Sequence, residues 1–192
     1  MQQVFAERIL PRRSILVDAS LIIWGSLFVA ALAQLSIPLQ PVPVTGQTFA
    51  VLLVGMVLGS RRGALALAAY LAEGLAGLPV FAEARSGLGT VLGPTGGYLV
   101  GFIAAAWLVG LLAERGFDRR LIKTFSAMVA GNIVIYVFGL AWLSTFPFVG
   151  GLLGESGLLT LGMMPFLIGD GIKAALAALL LPSAWRLTGS QK

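Results

Sequence analysis

The chain has 192 residues, of which 58% are hydrophobic and only 11% charged, well below the quarter or so that a soluble domain carries. Such a composition excludes an ordinary soluble enzyme, and the absence of cysteine and histidine excludes disulfides, thiol chemistry, the usual metal ligands and the usual neutral-pH general base. The net charge of +5 raises the question of nucleic acid, which the placement of the charges answers below.

A helix needs about 20 apolar residues to cross a hydrocarbon core of about 30 Å. Taken in chain order, the candidate spans run over Ser14–Leu35, Gln47–Leu58, Ala64–Ala76, Gly97–Ala113, Leu121–Thr145 and Met164–Leu181. The first is longer than a cleavable signal and contains Asp18, so it is read as a retained span. The second and third are short. Merged, they would bury Arg61 and Arg62 near mid-bilayer at about 2.5–3.5 kcal/mol each, so two helices with the arginines between them at a surface is the cheaper arrangement.

With both termini cytoplasmic, the inner side receives Arg8, Arg12, Arg13, Arg61, Arg62, Arg115, Arg119, Arg120, Lys123, Arg186 and Lys192. These are all but two of the 13 basic residues, and the bias follows the positive-inside rule. The basic balance is thus topological, and no nucleic-acid partner is expected. The expected organisation is a cytoplasmic segment over residues 1–13, one six-helix transmembrane domain over 14–182 and a cytoplasmic tail over 183–192. Arg85 and Lys173 are the two cations the inner surface does not claim.

The outer connections differ from ordinary loops. Residues 36–47 contain three prolines and no charge, and residues 77–98 mix glycine, proline and apolar side chains. Irregular apolar backbone at membrane depth is tolerated only when buried in protein or lining a cavity, so both segments read as walls of an outward-facing site. Asp170 and Lys173, three apart in the sixth span, project from one helix face, and Pro165 suits the first turn there. Charge inside a bilayer marks a pathway, a bound polar ligand or an internal ion pair. Glu73 with Tyr70 gives the third span a polar end, while Asn132 and Tyr136 read as interhelical hydrogen bonds. Small residues four apart, as in Ser26-x-x-x-Ala30 and Gly55-x-x-x-Gly59, allow close helix approach or a docking face. Neither a phosphate-binding loop of the GxxxxGK[ST] type nor a metal-ligand set is present.

Four blocks carry a family resemblance: Pro41-Val-Pro-Val-Thr-Gly-Gln47, Gly77-Leu-Pro-Val-Phe-Ala82, Gly93-Pro-Thr-Gly-Gly-Tyr98 and Pro165-Phe-Leu-Ile-Gly-Asp170-Gly-Ile-Lys173. In this order they resemble the BioY family, the biotin-specific S components of energy-coupling factor (ECF) transporters. The resemblance implies an all-α, six-helix S-component fold in a bacterial or archaeal cytoplasmic membrane. It also implies capture of biotin without chemistry on it and without a cofactor, with a transmembrane coupling (T) subunit and a pair of ABC-type ATPases as partners. The residues it implicates in binding are Asp170, Lys173, Tyr98 and Arg85, with Thr45 and Gln47 from the first block, and Ser26 and Ala30 map to the ridge that meets the coupling subunit. Glu83-Ala-Arg85-Ser-Gly87 departs from the glycine-rich family pattern at that point. Other expectations are an S component for a different vitamin, a structural membrane subunit, or an intramembrane enzyme using Glu73 and Asp170 as acid and base.

Overall fold

The structure is a computed structural model that describes residues 3–10, 14–147 and 157–189; Arg12, Arg13 and Lys192 lie outside them. In chain order the helices are α1 (Phe5–Ile9), α2 (Ile15–Ala33), α3 (Gln47–Leu58), α4 (Ser60–Leu75), α5 (Gly87–Leu92), α6 (Gly96–Ala113), α7 (Leu121–Leu143) and α8 (Met164–Leu187). A helical turn over 157–162 precedes α8. By length and apolarity α2, α6, α7 and the stretch Gly157–Leu187 each qualify as a membrane span, while α3 is a shorter apolar helix. Large apolar side chains point outward from these elements, among them Trp24, Ile122 and Ile168. That exterior fits a lipid environment and would be anomalous in water.

Within lipid, apolar burial does not drive helices together, so association depends on close van der Waals packing. Small residues supply it. A Cβ added to Gly63 would lie 2.9 Å from Gly55 Cα, and one on Gly55 would lie 2.5 Å from Ala106 O, so α3, α4 and α6 cross almost backbone to backbone. The close approach expected of the glycine pair is thereby realised at Gly55, while Gly59 serves as the corner between α3 and α4 at φ 85°. A left-handed angle of that size is cheap only for glycine.

Two boundaries lie well away from the sequence reading. α4 starts at Ser60 rather than Ala64, because Glu114 of α6 caps it: Glu114 Oε1 accepts from Ser60 N at 2.8 Å and from Ser60 Oγ at 2.7 Å. Arg62 consequently sits in the first helical turn, where it pairs with Asp18 at 2.9 Å and Glu7 at 3.4 Å. α8 runs past Pro182 to Leu187 instead of stopping at Leu181. The hydrogen bond lost at the proline is offset by contacts that fix the last turns: Trp185 Nε1 donates to Asp118 Oδ2 at 2.6 Å, and the Arg119 guanidinium lies 4.4 Å from the Trp185 ring centre. Burial pushes the Asp118 carboxyl above its ordinary range. The proline-rich connection also contains a short antiparallel ladder, β1 (Ser36–Ile37) with β2 (Val44–Thr45), and its prolines all fall outside the paired residues.

The described ends of the helices gather into two groups. One holds α1, the α3–α4 corner, Glu114, the Phe117–Arg119 turn and the end of α8, joined further by Arg119 to Gln3 O at 3.1 Å and Arg8 to Thr188 O at 3.3 Å. The other holds the end of α2, the β1–β2 hairpin, the start of α3, the 78–95 connection and the start of α6.

Candidate functional site

At this second end the start of α3, the 81–85 segment, α6, α7 and α8 enclose a pocket. Its apolar lining includes Val42, Phe81, Leu99, Phe102, Ile135 and Phe166, and its polar lining includes Thr45, Gln47, Thr48, Arg85, Thr95, Tyr98, Tyr136, Asp170 and Lys173. A mostly apolar cavity with a few converging polar groups is the usual form of a small-molecule site. All six binding residues expected from the sequence border it, although they come from four separate stretches of chain. Of the apolar residues in the first two signature blocks, Phe81 and Val42 reach the cavity, whereas Val44 and Val80 are partly buried against the core.

The polar floor is a connected network. Asp170, on α8 and almost wholly buried at 3% exposure, accepts at Oδ1 from Lys173 Nζ at 2.9 Å and from Thr48 Oγ1 at 2.7 Å. At Oδ2 it accepts a short hydrogen bond from the Tyr136 hydroxyl on α7. Lys173 donates also to Thr45 O at 2.7 Å and Thr48 Oγ1 at 2.9 Å. The ammonium therefore has three partners for its three protons, while the carboxylate uses three of about four acceptor sites and keeps one at Oδ2. The internal ion pair is present, and it sits within a network that leaves the carboxylate one acceptor site unused at the pocket lining.

Gln47 is buried near the start of α3; its Nε2 donates to Tyr70 OH at 2.6 Å and its Oε1 accepts from Thr45 Oγ1 at 3.0 Å. Tyr98 donates to Gly162 O at 2.7 Å and stands against Phe166 with ring centres 6.4 Å apart. Arg85 is half exposed at the rim and paired with Glu83. Thr48 and Tyr136 were not singled out for binding by sequence reasoning. Tyr136 was recognised as a polar spot with Asn132, and it does make an interhelical bond; Asn132 Oδ1, by contrast, is buried with no hydrogen-bond partner.

Ser26, expected with Ala30 on a partner-facing ridge, is buried in this chain: its hydroxyl donates to Glu73 Oε1 at 2.8 Å and to Ile23 O at 2.9 Å, where α2 packs on α4, while Ala30 is half-buried beside the core. Glu73 is thereby engaged between α2 and α4 and does not border the Asp170 pocket, so the two carboxylates do not form an acid–base pair.

Comparison with known proteins bears on the same arrangement. The model of the BioY family matches residues 6–190. The chain belongs to the BioY family. A probable biotin transporter BioY of Pyrococcus horikoshii is 39% identical over 158 residues, covering 82% of this chain and 88% of that protein. The biotin transporter BioY of Rhizobium etli is 41% identical over 156 residues, covering 78% and 81%. Among solved structures, the crystal structure of the S-component for biotin from an ECF-type ABC transporter superposes with a TM-score of 0.77 at 25% identity, over 94% of this chain and 96% of that one. The family match, over residues 6–190, takes in every element that lines the pocket.

Proposed function

We propose that this BioY protein is the substrate-specific component of an ECF-type transporter and captures biotin for uptake, performing no chemistry on it. The observation that carries the reading is the network around Asp170 at the floor of an apolar pocket, in a chain whose relatives are biotin transporters. Biotin presents an apolar thioether ring and alkyl chain, a ureido group with two N–H donors and an oxygen, and a carboxylate. The open acceptor site on Asp170 suits a ureido N–H, as a charge-assisted bond in a site of low dielectric. Arg85 at the rim supplies a cation for an oxygen of the ligand, Tyr98 and Phe81 supply ring walls, and Lys173, Thr45 and Gln47 hold the floor in shape.

In this reading residues 14–182 form one domain of six spans in a bacterial or archaeal cytoplasmic membrane, with residues 1–13 and 183–192 cytoplasmic and the pocket opening outward. Transport then requires a T subunit and a pair of ATPases, since no phosphate-binding loop occurs in this chain. Calorimetric titration of the purified protein tests the substrate. Biotin is expected to bind tightly, and Asp170→Asn to weaken it about a hundredfold, the cost of one charge-assisted hydrogen bond. Absence of biotin binding by the wild type removes the proposal, and wild-type affinity in the variant removes Asp170 from the site.

A further inference from the structure

The segment after α4 carries two consecutive non-glycine residues in the left-handed region, Glu83 at φ 60° and Ala84 at φ 55°. Such conformations persist only where the surroundings hold them, and they cluster at ligand clamps. Here the strained turn also forms part of the pocket wall, through Phe81, Ala82 and Arg85.

Its first half is anchored in the core. Phe81 is buried, with its ring edge-on to Tyr70 at 5.5 Å and seated over Gly74, where an added Cβ would fall 2.0 Å from Phe81 Cζ. Tyr70 OH also donates to Val80 O at 3.1 Å. The second half is exposed at Glu83, Ala84 and Arg85 and has no side chain in the core; its tie to the first half within the segment is the backbone, Phe81 N donating to Arg85 O at 3.1 Å and Arg85 N to Ala82 O at 3.2 Å. One side chain of another helix bridges the two halves. Gln34, which closes α2, donates from Nε2 to Phe81 O at 3.1 Å, and its Oε1 accepts from Ala84 N at 3.1 Å. The same Nε2 is held to its own helix by Ala30 O at 3.2 Å. Both arms of one amide thus fix the turn across its strained residues.

We infer that Gln34 is a positioning residue for ligand capture: it latches the 80–86 segment to α2 and so keeps Arg85 and the adjoining wall over the pocket. The latch acts on retention. With the amide removed, the strained turn relaxes, Arg85 leaves the rim, and the bound molecule escapes faster, while the Asp170 network is untouched. This inference rests on the reading of the pocket as a biotin site.

Two measurements on the full chain in detergent, with Gln34→Ala, separate the parts. Gln34 is exposed, so its truncation leaves the core intact. Trypsin reads the turn directly, because Arg85 is a cleavage point within it. Cleavage after Arg85 is expected to speed up about tenfold, the equivalent of about one net hydrogen bond, with cleavage after the exposed Arg120 at the opposite end unchanged. Stopped-flow exchange of labelled biotin is expected to show release accelerated about tenfold and association little altered. An unchanged cutting rate at Arg85 overturns the latch, and wild-type release with faster cutting overturns its role in retention. Should the wild type bind no biotin, the capture reading falls and takes the retention role with it, while the cleavage result still decides the latch.

Discussion

Every proton of the Lys173 ammonium is engaged, and its acceptors are Thr48 of α3, the carbonyl of Thr45 at the end of β2, and Asp170. Lysine here neutralises and orients the acid, so the group left to meet a ligand is the carboxylate. Its orientation depends also on Tyr136, whose hydroxyl holds Oδ2. Tyr136→Phe keeps the ring and removes only that donor. Biotin affinity is expected to fall about tenfold by titration, with the melting temperature within a few degrees of wild type, because one net hydrogen bond is worth about 1 kcal/mol. An unchanged affinity would show that the carboxylate is held without the phenol. Asp170 and Lys173 were legible in the sequence because charge in a membrane span is costly and therefore conspicuous. Thr48 and Tyr136 were not, since an uncharged hydroxyl in an apolar helix is equally well explained by packing, and only the fold shows it meeting an acid 122 or 34 residues away.

Among the elements, α6 is the one that several others pack upon, and its glycines decide how closely. A Cβ on Gly110 would lie 2.4 Å from Ser60 N and 2.5 Å from Gly59 C, both backbone atoms that cannot swing aside. Gly110→Ala should therefore force the α3–α4 corner outward, disturbing the cap that Glu114 provides. Overpacking of this kind costs about 1–3 kcal/mol, more than the 0.5–1 kcal/mol that alanine gains over glycine within a helix. Gly169→Ala on α8 is the matched comparison, because its Cβ meets nothing within 4 Å. Thermal unfolding in detergent is expected to show Gly110→Ala melting lower than wild type and Gly169→Ala melting at or above it; equal melting of the two would refute the close crossing. The helical class and the approximate positions of the long apolar helices were legible from apolar runs and charge. The start of α4 and the end of α8 were not, because a carboxylate from α6 caps one and a Trp185–Asp118 contact steadies the other, and neither partner is near in sequence.

For the molecule as a whole, the lengths of the helices bear on where the pocket sits. At about 1.5 Å per residue, the 12 residues of α3 rise about 18 Å, well short of the hydrocarbon thickness of about 30 Å. On the proposed six-span reading, α3 starting from the basic end at Gly59 would stop inside the membrane, which would put Gln47 and Thr48 at that depth and leave the β1–β2 hairpin and the 80–86 segment to fill the remainder. Irregular backbone is tolerated there because it lines a cavity. The proposed orientation, which rests on the basic bias, puts the Gly59 end of α3 at the cytoplasmic side, and the absence of native cysteine makes it directly testable. In cells expressing single-cysteine variants, a membrane-impermeant maleimide is expected to label Leu88→Cys, at an outer position 59% exposed, without permeabilisation. Arg61→Cys and Arg115→Cys, both exposed at the basic end, should react only after the membrane is opened. Reaction of Arg61→Cys in intact cells, with Leu88→Cys protected, would turn the molecule over. Reaction of Arg61→Cys and Leu88→Cys alike would instead place both ends of α4 on the outer side and leave the chain with fewer than six spans.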